Sequence, residues 1–167
     1  MEETTLSIII SVLALIISII SFINKRREKK EIKLESSGTY VPLQLQAYER
    51  LVLLCERISI PNLISRVSQP HFSSKEMQLL LIDNIKQEFE YNSSQQIYVS
   101  PVAWEAVRNL RDQSMLIINQ VANVLPADAT ASDLNKQLLE VIINQKEAAL
   151  HTIVLNALNF EAKKLMQ

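Results

Sequence analysis

The first apolar run in the chain is unbroken. From Leu6 to Ile23 it reads Leu-Ser-Ile-Ile-Ile-Ser-Val-Leu-Ala-Leu-Ile-Ile-Ser-Ile-Ile-Ser-Phe-Ile, 18 residues without a charge. As a helix rising ~1.5 Å per residue it spans roughly 27 Å, close to the ~30 Å of a bilayer's hydrocarbon core. The pattern predicts one transmembrane helix. A cleaved signal peptide would carry a basic leader and a small-residue cleavage site. Here Glu2 and Glu3 precede the run, and Asn24 and a basic cluster come after it. The small residues Ser7, Ser11, Ala14, Ser18 and Ser21 recur at spacings of 4, 3, 4 and 3. At ~100° per residue they stay within roughly an 80° arc. Such a stripe predicts a face on which a second membrane helix packs closely, with hydroxyls bonding across. The competing reading has each serine bonding back to its own helix.

Beyond the run the pattern turns helical and amphipathic. Ser36-Ser37-Gly38-Thr39 is a break, so residues 1–35 are expected to be an anchor with a juxtamembrane extension, 36–42 a linker and 43–167 a cytoplasmic helical domain. Pro42 opens a helix to about Ile58, with Leu45, Tyr48, Val52 and Cys55 on one face and Leu51, Leu54 and Ile58 beside it. Pro61 breaks it and starts a short turn through Val67. Ser73 and Glu76 form an S-x-x-E capping box ahead of a helix to about Tyr91, whose stripe is Met77, Leu81, Ile85 and Phe89. Asn92 to Gln96 is polar and aperiodic, and Ile97-Tyr98-Val99 reads as a short extended pass. Ser100-Pro101 starts a helix to Val124, with Val107, Leu110, Ile117, Val121 and Val124 inward. Thr130 or Ser132 caps the next helix, carrying Leu134, Leu138, Val141 and Ile142. A break near Asn144–Lys146 leads to a last helix with Ala149, Ile153, Asn156, Phe160 and Lys164 on one side, flanked by Leu150, Ala157 and Leu165. The expected fold is all-α: an N-terminal transmembrane helix followed by an antiparallel bundle of about five helices.

Composition sharpens this. Gly38 is the single glycine, which leaves few cheap positions for tight hairpins or phosphate loops. The basic residues Lys25, Arg26, Arg27, Lys29, Lys30 and Lys33 crowd beside the apolar run. They place that end on the cytoplasmic side, with the N-terminus outside, and among anionic headgroups. Residues 36–167 carry 11 basic against 13 acidic groups, so the domain has no basic excess for nucleic acid. Cys55 is the only cysteine, so no intramolecular disulfide forms.

The stretch Leu43-Gln44-Leu45-Gln46-Ala47-Tyr48-Glu49-Arg50-Leu51, then Pro61-Asn62-Leu63-Ile64, then Gln87-Glu88-Phe89-Glu90-Tyr91-Asn92-Ser93-Ser94-Gln95-Gln96-Ile97-Tyr98-Val99-Ser100 with Trp104, resembles a family of small bacterial single-pass membrane proteins classed only as a domain of unknown function. The resemblance covers most of the chain. It implies architecture and a bacterial origin but no activity and no catalytic residues.

Chemistry is sparse. One glycine excludes a P-loop, a dinucleotide fingerprint and a nucleophile elbow. His71 and His151 stand in no metal-ligand spacing. Cys55 falls on an apolar face and reads as a small core residue. The acidic residues Glu76, Asp83, Glu88 and Glu90 lack the Glu-x-x-His of a di-iron bundle and read as a solvated face. Glu88, Asn92, Gln95 and Gln96 form a polar block that is either a recognition loop or a helix C-terminus whose amides satisfy backbone groups.

These features imply a non-enzymatic, membrane-anchored interaction or scaffold module at the bacterial inner membrane. It needs no cofactor or metal and no identifiable small-molecule substrate, and its partner is a protein or a second copy. The alternatives are an enzyme on a lipid or envelope substrate, for which Glu88, Asn92 and His71 would have to converge, and a lipid-handling accessory protein.

Overall fold

The structure is a computed structural model and describes residues 40–144 and 147–167. The expected membrane span, its small-residue stripe, the basic cluster and residues 36–39 of the expected linker lie outside the described residues, as do residues 145 and 146 of the expected break at Asn144–Lys146. Residues 40–42, expected to complete the linker, are already helical. The chain divides into two units, Met1–Pro42 and Leu43–Gln167. The second unit holds the helical domain. No helix among the described residues is long and apolar enough to cross a membrane.

The fold is all-α, with six α-helices and no strand among the described residues. They are α1 (residues 40–58), α2 (Ile60–Val67), α3 (Ser74–Tyr91), α4 (Pro101–Val124), α5 (Ala131–Asn144) and α6 (Glu147–Leu165). α1 buries Ala47, Tyr48, Leu51, Leu54, Cys55 and Ile58. It ends because Pro61 has no N–H and its ring would collide with the carbonyl four residues back. Ser59 turns extended (φ −60°, ψ 133°), and α2 starts at once with Pro61 in its first turn. The expected short turn is thus a full helix, which buries Ile60, Leu63 and Ile64.

The capping box that opens α3 is present in both directions, Ser73 with the Glu76 backbone and Glu76 with the Ser73 backbone. α5 opens the same way. Thr130 N and Oγ1 donate to Asp133 Oδ2 at 2.9 and 2.7 Å, and Asp133 N donates to Thr130 Oγ1 at 3.3 Å. The two caps are joined: Ser74 N donates to Ala129 O and Ala131 N to Phe72 O, each at 2.9 Å. This antiparallel bridge makes α3 and α5 start side by side. Ser100 caps α4 through Ala103 N, with Pro101 in the first turn.

Three further expectations fail. Ile97-Tyr98-Val99 is not an extended pass. A 3-10 helix occupies Ser93–Ile97, and Tyr98 keeps helical angles. The cause is local bonding, Gln95 N to Asn92 O and Tyr98 N to Gln95 O, both 3.0 Å. Val124 is 81% exposed. Leu125 turns out of the helix and packs on the core in its stead.

The third failure is the face of α6. Ile153 and Phe160 are 61% and 71% exposed, and Asn156 and Lys164 also face solvent. The buried positions are Val154 and Leu158, with Leu150, Ala162 and Leu165 partly covered. The true stripe is the expected one moved on by about one residue, a rotation of ~100°. Leu158→Ala should therefore cost ~2–5 kcal/mol of stability, and Phe160→Ala no more than ~0.5 kcal/mol. Urea unfolding of the full chain in detergent, followed by circular dichroism, measures both; equal losses would contradict this orientation.

Candidate functional site

Two helix faces form the most featured surface of the domain. On α1, Arg50, Leu53, Leu54 and Arg57 recur at helical spacing, and on α3 so do Asn84, Gln87, Glu88 and Tyr91, with Asn92 at its C-cap. They line an open groove of about 600 Å³ between the two helices.

Its charged centre is Glu88. Arg57 donates Nε and Nη2 to Glu88 Oε1 at 2.8 and 2.5 Å, and Arg66 Nη1 reaches the same oxygen at 3.1 Å. Arg66 Nη2 also donates to the Arg57 carbonyl at 3.2 Å, so α1, α2 and α3 meet here. The hydrogen bonds from Arg57 hold the Glu88 carboxyl below its ordinary range, against the opposing pull of burial. The same bonds push the Arg57 guanidinium up. Arg50 makes no hydrogen bond or ion pair with any described residue. Asn92 closes the end of α3, its Nδ2 donating to Glu88 O at 2.8 Å.

Of the polar block expected as a recognition loop, Glu88 and Asn92 line the groove. Asn92 does so while also satisfying the helix C-terminus. Gln95 and Gln96 sit on the 3-10 helix outside it, Gln95 Nε2 donating to Ser94 Oγ at 3.3 Å. The arginines were the residues missed. A signal existed for two of them: Arg50 and Arg57 are seven apart on α1, beside the core positions Leu51, Leu54 and Ile58. Arg66 reaches the site only through the α1–α2 corner.

His71 is exposed and does not line the groove, so it does not converge with Glu88 and Asn92. Glu76 is spent on its capping box, and Asp83 accepts from Gln87 Nε2 at 2.7 Å. No group of three metal-ligating side chains occurs among the described residues. Cys55 is fully buried, and burial pushes its thiol up to about 12. A second hollow of about 290 Å³ lies where α2, α4 and α6 meet, with His151 Nε2 at 3.9 Å from Glu56 Oε2.

The fold and the groove define a helical bundle with a polar, arginine-bearing surface groove. The chain belongs to the family described as "Family of unknown function (DUF7935)", which matches residues 1–165. No curated protein and no solved structure matches it.

A carboxyl held low in the folded state stabilises the fold above the ordinary Glu pKa of ~4.3, and that contribution is lost as pH falls through the folded value. Glu88→Gln should therefore cost about 1 kcal/mol at pH 7, a discounted figure because Arg57 is half exposed. It should cost less at pH 3. Urea midpoints for both chains at the two pH values give the comparison; a loss independent of pH would rule out an ionised Glu88 as the cause. Glu76 and Asp133 are also held low by their cap hydrogen bonds, so the variant keeps part of the acid sensitivity.

Proposed function

We propose that this protein is a non-enzymatic interaction module, tethered to the bacterial inner membrane by residues 6–23, with its helical domain in the cytoplasm. The observation that carries the reading is the α1–α3 groove: an open surface with an uncommitted guanidinium beside exposed Leu53 and Tyr91. Surfaces of this make-up, with an aromatic residue and arginine at the centre, are those that protein partners bind.

The groove is poorly suited to acid–base chemistry. Among the described residues Glu88 is its one carboxylate, and two arginines keep it ionised and turned toward them. A general acid or base works best with a pKa near the operating pH, and here the shift runs the other way. A lipid-handling role would need a continuous apolar trough. This groove interleaves Leu53, Leu54 and Tyr91 with Asn84, Gln87, Asn92 and charged groups.

The tether is the second part of the reading. Its stripe of Ser7, Ser11, Ala14, Ser18 and Ser21 supports a membrane-level contact with a second copy or a partner's helix. The basic residues from Lys25 to Lys33 support cytoplasmic placement of the helical domain.

Cysteines placed singly at Ser11 and Ser18 should form crosslinked dimers in native membranes under mild oxidation, whereas cysteines at Ile9 and Ile16, on the opposite side of the helix, should not. Cys55 can stay, because its thiol is buried and protonated at neutral pH. Absence of any crosslink, together with no protein co-purifying in mild detergent, would overturn the interaction reading.

A further inference from the structure

We propose that the α1–α3 groove binds an acidic, apolar segment of a partner protein, seating a carboxylate on Arg50 and apolar side chains on Leu53 and Tyr91. This rests on the reading of the domain as an interaction module and names the chemistry of its partner.

Charge is the first argument. Arg57 and Arg66 both bind the carboxylate of Glu88, the one carboxylate lining the groove that Arg50 also lines. Glu88 is shared between Arg57 and Arg66, which leaves the fork of Arg50 without an anion among the described residues. Arg50 is only partly exposed, so its environment is less screened than a surface charge would be. Its planar fork suits a carboxylate held in two-point contact.

Shape is the second. Leu53 is 60% and Tyr91 76% exposed, on opposite walls of the groove, while Leu54 is buried in its floor. Large apolar side chains left open in the same groove as an unpaired cation fit a helix or extended segment that carries an acidic residue within a turn of a large apolar one. Beyond Leu53 lies a smaller hollow of about 370 Å³ between α1 and α6, lined by Tyr48, Val52 and Ala162 together with Glu49 and Asn159.

The amides favour a protein over a lipid. Asn84, Gln87 and Asn92 each donate one N–H within the domain, to Leu80 O, Asp83 Oδ2 and Glu88 O. Their amide oxygens and second N–H groups are left to bond polar groups of a polypeptide. An acyl chain laid there would desolvate them without return.

The test uses the full chain in native membranes. A photo-crosslinking benzoylphenylalanine replaces Leu53 or Tyr91, with Leu79, exposed on another face of α3, as the reference position. The expected result is capture of a protein at 53 and 91, with a carboxylate within about four residues of the linked site. That segment, as a labelled synthetic peptide, should bind the full chain in nanodiscs. Arg50→Glu should weaken it about tenfold or more, and reversing the peptide's carboxylate to lysine should restore binding to the variant. Arg50→Ala, with thermal unfolding unchanged, separates lost contact from lost fold. Crosslinks to lipid, crosslinks to a second copy, or a captured segment without an acidic residue each overturn the proposal. Capture at 79 alone overturns it too, yet leaves the interaction module standing. Silence at all three positions overturns the groove, and the membrane-crosslinking experiment then decides the broader reading independently.

Discussion

One phenol hydroxyl ties together three distant parts of the bundle. Tyr48 Oη donates to Glu161 Oε2 at 2.5 Å and accepts from the Ser100 backbone N–H at 3.2 Å. The three groups belong to the first helix, the last helix and the cap of α4, far apart in the chain. Burial is the main reason the phenol is pushed up from its ordinary value, and its bond to the Glu161 carboxylate adds to that. It therefore stays a donor throughout the neutral range. A bond to a charged acceptor is worth roughly twice a neutral one. The bond from Tyr48 to Glu161 accompanies an orientation of α6 that turns Val154 and Leu158 inward and leaves Ile153 and Phe160 outside.

The opposite constraint acts through the caps. Ser73 and Thr130 each close a helix N-terminus and are paired with each other. An N-terminus needs its free N–H groups satisfied, and here the flanking backbones also bond across, so α3 and α5 leave one corner together. Farther along α3, Phe89 stacks on Trp104 of α4 with centroids 5.0 Å apart, and the Arg111 guanidinium lies 4.1 Å over the Phe89 ring. Those contacts fix the rotation of α3 where it presents Glu88 and Tyr91 to α1. The groove is thus a product of two anchorages, one at each end of α3.

Local signals were the legible ones. Ser73–Glu76 and Ser100–Pro101 could be placed from a few adjacent residues because a cap is satisfied within one turn. The stripes of α1 and α3 were legible because their opposite sides are polar enough to leave one choice. α6 offered two: Ile153 and Phe160 compete with Val154 and Leu158, and periodicity cannot choose between stripes one residue apart. The choice is made by the distant partners of α6, which packs Val154 and Leu158 into the core and bonds Glu161 to Tyr48, 113 residues away. At the site, Glu88 and Asn92 drew notice as a polar block, but Arg50, Arg57 and Arg66 did not. A charge on a helix flank looks the same in sequence whether it faces water or another helix. The 3-10 turn escaped for a related reason, since its bonds join backbone groups that any polar segment has.

The groove is modest: one unpaired arginine, two open apolar side chains and a few amides do not make a tight binding site by themselves. On the proposed reading they do not need to. A domain tethered to a bilayer meets membrane-bound partners at an effective concentration set by its linker, so weak contacts add to large avidity when the geometry lets both engage. If the small-residue face of the membrane helix contributes a second contact, the groove need only supply selectivity, and an arginine that lacks its anion is suited to that. A partner segment with no carboxylate would bury the guanidinium unpaired, which costs more than the contact returns. Discrimination of that kind comes from the penalty for the wrong partner, and it would explain a cation left without an anion in a domain whose other arginines at this site are committed to Glu88.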